Sequence, residues 1–386
     1  MTTIDDISCA TDNNKYTIGV FIDLKKAFDT MQHSILISKL NTYGVRGIAL
    51  NWLSSYLENR TQYVHYLGNS SERLKIECGV PQGSVLGPKL FNLYINDICD
   101  VSKMLNFVLF ADDTNFYCAG DKLKELAELM VSEMEKLKKW FDVNKLSLNL
   151  TKTKFMIFGN RVKQDEVILS IDGVPIERVT ELRFLGVVLD DKLKWKSHIE
   201  YVRKKMVKNI YILGNVRDIL DYKAMRILYF SLIFPYLSYC AEVWGNTYAT
   251  YIHPLYLLQK KVVRMVHNVK YREHTNNLFI KSKLLKFEDL VKLQTLLFMC
   301  KAKNNTLPLK LQSLFVLCSG SGDSRRKFDF KHKFARTTQR QMCPTVKGIR
   351  IWNCLEDNLK SCTNMHRFKM CYILKRINQY EEHESN

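Results

Sequence analysis

Residues 106–118 read NFVLFADDTNFYC, a run of apolar and aromatic residues that is interrupted by two adjacent aspartates, Asp112 and Asp113. The flanking residues favour β-strands, and the acidic pair between them favours a turn. The stretch therefore predicts a β-hairpin with two like charges at its tip. A solvated turn is one explanation of such a pair, and a function that needs clustered carboxylates is the other.

A second strand is predicted at 16–24, YTIGVFIDL, and it ends at Asp23. If this strand lies beside the hairpin, Asp23, Asp112 and Asp113 meet at one rim of a sheet. Like charges held that close need a compensating cation. Carboxylate oxygens suit Mg²⁺, which binds through one or two carboxylates together with substrate phosphates, and two such ions can promote displacement at phosphorus. The three aspartates thus point to phosphoryl or nucleotidyl transfer.

The remaining elements of the first half give the fold class. Residues 73–98 pass from a strand through the loop PQGSVLGP into a helix, and 167–190 predict a meander with a turn at Asp172 and Gly173. Apolar residues at helical spacing predict helices at 33–44, 47–60 and 122–146, and KFMIFG predicts a strand at 154–159. The fold class is therefore α+β.

The net charge of +19 over 386 residues is unevenly divided. Residues 1–190 hold 22 Lys and Arg against 24 Asp and Glu, whereas residues 191–386 hold 36 against 15 in long stretches with helical spacing. A net charge of +21 in the second half favours a polyanionic partner, most commonly nucleic acid. The alternative is a solvated basic surface that keeps the protein soluble.

Composition also bears on the compartment. No stretch approaches the length of a membrane span, and the first 30 residues lack the pattern of a signal peptide. The eleven scattered cysteines form no CxxC pair, so we expect reduced thiols in a soluble intracellular protein. One cluster has the spacing C-x7-C-x3-H-x4-C, which lacks the short first spacing of zinc sites; its members are Cys354, Cys362, His366 and Cys371.

Five segments, in chain order, resemble the successive palm motifs of reverse transcriptases, most closely those of non-LTR (LINE-type) retrotransposons. They are VFIDLKKAFDTMQHSIL, GVPQGSVLGPKLFNLYINDI, FADDTNFY, LSLNLTKTKFMIFG and FLGVVLDDKLKWKSHI, within residues 15–200. The resemblance implies an RNA-directed DNA polymerase whose palm is a ferredoxin-like antiparallel sheet with helices. It also implies three regions: a reverse transcriptase domain (1–190, partial fingers and palm), a helical basic thumb (191–317) and, after the Ser/Gly break at 318–326, a basic C-terminal segment (318–386).

The resemblance assigns the catalytic metal site residue by residue. Asp23 and Asp112 would be the metal-binding carboxylates, Asp113 the second aspartate of the FADD motif, and the backbone carbonyl of Leu24 a further ligand. Two Mg²⁺ ions would be bound, with Mn²⁺ as a possible substitute. Lys152 of the KT motif would lie near the nucleotide phosphates and protonate the leaving pyrophosphate; otherwise it is a solvated lysine before a strand.

Further motif positions concern the nucleotide. Phe28 matches the aromatic gate that excludes a 2′-hydroxyl, although a core phenylalanine is the alternative. The loop of Pro81, Gln82 and Gly83 would contact the incoming nucleotide and template; a tight strand-to-helix turn is the alternative.

The remaining motif positions are structural or contact the primer. We expect Asp29 to cap the helix that begins near Ser34, with His33 as its partner. Residues 184–195 match the primer grip, and otherwise form an edge hairpin.

The implied partners are an RNA template, a DNA primer and deoxynucleoside triphosphates, with no membrane. Only 22 residues precede Asp23, so most of the fingers that hold a triphosphate in this family are expected to be missing. A catalytically inactive nucleic-acid-binding remnant is therefore the alternative function. Nuclear action follows from the family resemblance alone, since no localisation signal is seen.

Overall fold

The computed structural model describes residues 1–159, 167–318 and 328–385, which form two compact units. The sheet unit is Asn14–Thr180, and the helical unit is Met1–Asn13 together with the described residues from Glu181 onward. The domain limits at 190 and 317 stay predictions. The predicted break at 318–326 lies, apart from Cys318, outside the described residues.

The sheet unit alternates short strands with helices. Its helices are α2 (His33–Thr42), α3 (Ile48–Leu57), α4 (Gly87–Ile95), a 3₁₀ helix (Asn96–Asp100) and α5 (Leu123–Val143). Its strands are β1 (Tyr16–Ile22), β2 (Leu24–Lys25), β3 (Thr61–Gln62), β4 (His65–Tyr66), β5 (Asn69–Ser70), β6 (Leu74–Lys75), β7 (Asn106–Phe110), β8 (Asp113–Gly120), β9 (Ser147–Leu148), β10 (Lys154–Phe158), β11 (Ser170–Ile171), β12 (Val174–Pro175) and β13 (Glu177–Arg178).

The main sheet has the order β13-β10-β1-β8-β7. Its four longer strands pair antiparallel, and β13 joins β10 in parallel. Counted along the chain, the longer strands have the order 4-1-3-2, with helices between the first and second and between the third and fourth. This is the βαββαβ arrangement of ferredoxin-like sheets.

The core of the sheet unit lies between the sheet and its helices. α5 buries Leu126, Met130, Leu137 and Phe141 at helical spacing, and it packs against β1 and β8. Phe91 of α4 is completely buried in the same core. The long amphipathic segment that the sequence predicted at 122–146 is therefore confirmed as the helix that covers the sheet.

Most strands and helices of the first half agree with the prediction to within a few residues. The turn at Asp172 and Gly173 is confirmed, with φ of +49° and +73° between β11 and β12. The strand predicted near residue 73 is only the two-residue β6, which pairs with β3.

The helical unit is formed mainly by helices, with one hairpin of β14 (Glu181–Phe184) and β15 (Val187–Asp190). Its helices are α1 (Thr2–Asp12), α6 (Lys196–Val216), α7 (Tyr222–Leu228), a π-helical turn (Tyr229–Ile233), α8 (Phe234–Ser238), α9 (Ala241–Trp244), α10 (Ala249–Val266), α11 (Asn276–Ser282), α12 (Phe287–Lys303), α13 (Leu309–Gln312), α14 (Thr338–Met342), α15 (Pro344–Asn353), α16 (Asp357–Lys360) and α17 (Met365–Ser385). α12 is the central helix, because α8, α9, α10, α15 and α17 pack around it.

A buried ion pair fixes α1 to the C-terminal part of the helical unit. Arg340 Nη1 lies 2.5 Å from Asp5 Oδ1, and both residues are about 5% exposed. The same guanidinium donates to Ser8 Oγ at 2.9 Å, and the Thr345 hydroxyl donates to the Asp5 carboxylate. Residues at the two ends of the sequence thus share one polar network.

Within the described ranges, no helix has the length and apolar character needed to cross a membrane. All eleven cysteines are free thiols. Cys354, Cys362, His366 and Cys371 form no metal-holding group in the part of the chain that the structure describes.

Candidate active site

The register of β1 and β8 brings the three predicted carboxylates to one end of the sheet. Ile22, the last residue of β1, pairs with Thr114, so Asp23 follows beside Asp113. Phe110 pairs with Asp113, which leaves a two-residue hairpin turn of Ala111 and Asp112. The predicted hairpin is therefore confirmed.

The turn that carries Asp112 has an unusual backbone. Ala111 has φ of +51°. This left-handed conformation is energetically unfavourable for any residue that carries a Cβ atom. Glycine or asparagine is usual at such positions. Strain of this kind is typical of functional sites, and the Asp112 that follows is exposed.

The Asp113 carboxyl is influenced by the charges of the other two carboxylates. Burial raises the pKa of the Asp113 carboxyl above its usual value, and the charges of Asp112 and then Asp23 raise it further. Added positive charge near these oxygens would relieve that repulsion. The three do not by themselves make a closed metal-ligand group among the described residues, so a cation held here would need further oxygen ligands from a substrate.

Asn149 is a site residue that the sequence reasoning missed. Its amide Nδ2 donates to Asp23 Oδ2 at 2.8 Å, and its backbone N donates to the Asp23 carbonyl at 2.8 Å. The second contact continues the pairing of β2 with β9, in which Leu24 faces Leu148. One Asp23 oxygen is thereby fixed, and the other is left for a ligand. The signal in the sequence was an asparagine at a strand end, just before the Thr-Lys pair of LNLTKT.

Lys152 lies beside the same carboxylate. Its Nζ is 3.8 Å from Asp23 Oδ2, and its side chain is 70% exposed. Asn149 positions this lysine too, because its carbonyl accepts hydrogen bonds from the backbone N–H groups of Lys152 and Thr153. The contact is a long, solvated ion pair, which leaves the ammonium group free to move.

The loop of Pro81, Gln82 and Gly83 is fastened to the segment of Phe28 and Asp29. Gln82 Nε2 donates to Asp29 Oδ1 at 2.9 Å, and the backbone N of Val80 donates to the Phe28 carbonyl at 3.0 Å. A Cβ atom on Gly79 would lie 2.8 Å from Asp29 Cα, so only glycine permits this approach.

This arrangement corrects the predicted roles of Asp29 and His33. α2 begins after Gln32 without a side-chain cap, so Asp29 does not cap it. The Asp29 carboxylate instead accepts the hydrogen bond from Gln82, and His33 Nε2 donates to the Gly79 carbonyl at 2.7 Å. The prediction was wrong because both side chains turn toward the PQG loop, which is some fifty residues away in sequence.

Phe28 packs against the core with part of its side chain. Its ring centroid is 4.7 Å from that of the buried Phe91, yet the residue is only half-buried. One face is therefore core, and the exposed part is available to a ligand. A cleft of about 750 Å³ lies at the neighbouring Asp29, and Lys26, Arg60, Lys75 and Gln82 contribute to its lining.

Comparisons with known proteins find related sequences. Residues 1–189 match the model of the family described as reverse transcriptase (RNA-dependent DNA polymerase). The RNA-directed DNA polymerase from the mobile element jockey of Drosophila melanogaster is 26% identical over 281 residues, which are 70% of this chain and 30% of that protein. The probable RNA-directed DNA polymerase from transposon X-element of the same organism is 27% identical over 275 residues, which are 68% of this chain and 30% of that protein.

The chain thus spans about 30% of the length of the curated relatives it matches. Among solved structures, a telomerase from Candida albicans in complex with a fragment of telomeric RNA covers 76% of this chain and 48% of its own, at 13% identity and a TM-score of 0.41.

Proposed function

Residues 1–189 belong to the reverse transcriptase family, in the form carried by non-LTR retrotransposons, and on this premise we propose that the chain is an RNA-directed DNA polymerase. The observation that carries the proposal is the β1–β8 register, which supports a shared role for Asp23, Asp112 and Asp113. The substrates are an RNA template, a DNA primer and deoxynucleoside triphosphates.

The metal site we propose consists of Asp23, Asp112, Asp113 and the Leu24 carbonyl. Two Mg²⁺ ions, or Mn²⁺ in their place, would activate the primer 3′-hydroxyl and stabilise the charge of the departing pyrophosphate. The donor set fits a hard cation, and the pKa of Asp113 is raised first by burial and then by the negative charges of Asp112 and Asp23. Asp112 and Asp113 are exposed, which suits ligands that must also accept substrate phosphates.

Asn149 and Lys152 act on either side of Asp23 in this proposal. Asn149 holds Asp23 Oδ2, so that the carboxylate keeps one orientation through the reaction. Lys152 is proposed to leave its long contact with Asp23 and donate a proton to the pyrophosphate oxygen. Its exposed side chain supports such a movement.

The PQG loop and Phe28 are proposed to bind the nucleotide. Asp29 orients the Gln82 amide, whose remaining N–H and carbonyl groups can bond to the sugar or base. Phe28 rests on Phe91, so its exposed edge is stiff enough to exclude a 2′-hydroxyl by contact.

The helical unit is proposed to bind the template–primer duplex as a thumb, with the sheet unit as palm. Exposed Lys204, Lys205 and Lys208 on α6 can contact phosphates without reading sequence. In this assignment, residues 184–195, which include β15, contact the primer strand. Action in the nucleus is part of the same proposal.

Primer extension on poly(rA)/oligo(dT) with Mg²⁺ tests the activity. Asp112→Asn removes a proposed ligand, and Asp121→Asn is the matched control: it neutralises a 78% exposed aspartate just beyond the opposite end of β8. We expect Asp112→Asn to lower the extension rate about 10³-fold, since a loss of roughly 4 kcal/mol of transition-state stabilisation corresponds to that factor. Asp121→Asn should extend within about twofold of the wild-type rate.

Two outcomes would contradict the proposal. Equal loss in both variants would mean that general charge, not the site, controls the rate. A wild-type chain that binds the template–primer duplex yet never extends it would leave nucleic-acid binding without catalysis as the function.

A further inference from the structure

The helical unit contains a pocket of about 640 Å³, and none of the residues that line it is assigned to the polymerase reaction. It lies between α7 with the following π-helical turn on one side and the end of α11 on the other. Its volume falls within the range of ligand-binding sites, and π-helical turns are frequent at functional positions.

Four cations surround this pocket, namely Lys223, Arg226, Lys281 and Lys283. None of the described residues that line it is acidic, and within the described ranges none of the four forms an ion pair. Like charges gathered in one concavity repel each other, and a polyanion removes that repulsion. Charge complementarity therefore favours a ligand with several phosphates.

The floor of the pocket is apolar and partly aromatic. Phe230 and Tyr222 are 38% and 40% exposed, and Ile227 is 67% exposed. The Arg226 guanidinium lies 5.0 Å from the Phe230 ring centroid, and Tyr222 packs on the His267 ring at 5.0 Å. Exposed rings among cations are the combination that binds single strands, because an unpaired base stacks while its phosphates meet the charges.

Two hydroxyl groups, those of Tyr222 and Ser282, lie at the pocket wall. Tyr222 OH and Ser282 Oγ are 3.5 Å apart, and Ser282 Oγ is 2.5 Å from His267 Nε2. Burial and the charge of Lys281 lower the pKa of His267, so this ring is neutral at pH 7 and adds no further positive charge. The exposed Tyr222 oxygen, whose own proton is donated to Ser282, can accept a hydrogen bond from a ribose 2′-hydroxyl, which DNA lacks.

We propose that this basic pocket, formed by residues 222–231 and 281–283, binds an unpaired segment of RNA. One base stacks against Phe230 and Tyr222, the flanking phosphates contact the four cations, and the Tyr222 hydroxyl bonds to a 2′-hydroxyl. The site would hold RNA outside the template–primer duplex. Its chemistry is independent of the carboxylates of the sheet unit, so it is separable from the polymerase activity.

Fluorescence anisotropy with the full chain and a fluorescein-labelled, unstructured 12-nucleotide RNA tests the proposal, without divalent metal or nucleotide. Lys223→Gln/Lys281→Gln removes one exposed cation from each side of the pocket. Arg350→Gln/Lys369→Gln is the control, because it lowers the net charge by the same amount at exposed positions that do not line the pocket.

Each single-strand phosphate contact contributes a salt slope of about 0.7, so two lost contacts reduce the slope by about 1.4 and weaken binding about 25-fold at 0.1 M salt. We expect this from the pocket variant and less than about threefold from the control. Equal weakening in both variants would overturn the proposal, because binding would then be spread over the basic surface. Matching thermal unfolding midpoints for the two variants exclude misfolding as the cause.

DNA of the same sequence forms the second arm. The wild type should bind RNA about fivefold more tightly than DNA, a difference equivalent to one neutral hydrogen bond. Tyr222→Phe should abolish this difference while leaving the affinity for DNA unchanged. Equal wild-type affinity for RNA and DNA would reject RNA as the ligand. The Asp112→Asn variant should retain full RNA affinity even though it loses extension, so failure of one proposal does not entail failure of the other.

Discussion

The hydrogen bond from Asn149 Nδ2 to Asp23 Oδ2 gives a sharp test of how the sheet unit holds its carboxylates. Asn149→Ala removes this donor but keeps the backbone contact from Asn149 N to the Asp23 carbonyl. A hydrogen bond to a charged group contributes about 1.5–3 kcal/mol. If that amount is lost from the transition state, the extension rate falls about 10- to 100-fold.

Single-turnover primer extension over a Mg²⁺ titration measures this effect. We expect a higher half-saturating Mg²⁺ concentration and partial recovery of the rate at high Mg²⁺, because Asp23 must then be oriented by the ion alone. A residue that only stabilised the fold would lower the amount of active protein without changing the Mg²⁺ dependence. Thr151→Ala is the control: its hydroxyl donates to Asn149 Oδ1 at 2.8 Å, so it supports the same amide without touching Asp23.

A charged replacement of Asn149 distinguishes its effect on the orientation of Asp23 from its effect on the local charge. Asn149→Asp puts a fourth carboxylate next to Asp23 and removes the donor, so it should be slower than Asn149→Ala and shift the acidic limb of the pH–rate profile upward. Thr151→Ala should remain within about threefold of the wild type. If Asn149→Ala extends primers at the wild-type rate with an unchanged Mg²⁺ dependence, the hydrogen bond does not position Asp23 and the reasoning fails.

Three further predictions concern stability, each measured by urea unfolding. Burial and the charge of Arg183 lower the pKa of His198 to about 4, so the folded state loses up to about 3 kcal/mol as the pH falls from 6.5 to 4, and His198→Gln should abolish this pH dependence. Arg340→Met leaves Asp5 buried without a cation and should cost about 3–5 kcal/mol, much of which Asp5→Asn in the same chain should restore. Gly79→Ala should cost about 1–3 kcal/mol more than Gly83→Ala, because both residues have φ of +81° but only Gly79 is pressed against neighbouring backbone.

Local sequence patterns were sufficient wherever an element is determined by its own residues. β1 and α5 were predicted to within three residues at each end. The period of the apolar residues, about two in a strand and 3.6 in a helix, can be read within a single segment. The β7–β8 hairpin was predicted for the same reason. Its strained Ala111 was not, since nothing in the sequence FADD requires a left-handed alanine.

Polar contacts between segments that are distant in sequence have no periodic pattern from which they could be predicted. Asn149 is 126 residues from Asp23, and Gln82 is 53 residues from Asp29. An asparagine before a turn and an aspartate before a helix each have good local explanations, so local reasoning assigned Asp29 as a helix cap instead of as the partner of Gln82. Asp23 meets Asn149 only when β2 pairs with β9, and Asp29 meets Gln82 only when the PQG loop folds back onto the segment of Phe28 and Asp29.

The sequence also gave no sign of which compact unit contains the first helix, α1. In sequence α1 directly precedes β1, a strand of the sheet unit. In the structure α1 nevertheless belongs to the helical unit. α1 buries Ile4 and Ile7, and its Asp5 pairs with Arg340, which is 335 residues away. Removing one partner of a buried ion pair is strongly unfavourable, so both kinds of contact hold α1 in the helical unit.

The convergence of the carboxylates depends on the hydrophobic core rather than on the carboxylates themselves. Their mutual repulsion opposes the arrangement, since the charges of Asp112 and Asp23 add to the effect of burial in raising the pKa of Asp113. What holds it is the register of β1 on β8, in which the buried Ile18, Val20 and Ile22 face positions of the same core. A slip of one residue would turn all three apolar side chains to the other face of the sheet, and the loss of their burial would cost several kcal/mol. The same burial that folds the sheet therefore keeps Asp23 beside Asp113, and the acidic site can be strained without disordering the strands that carry it.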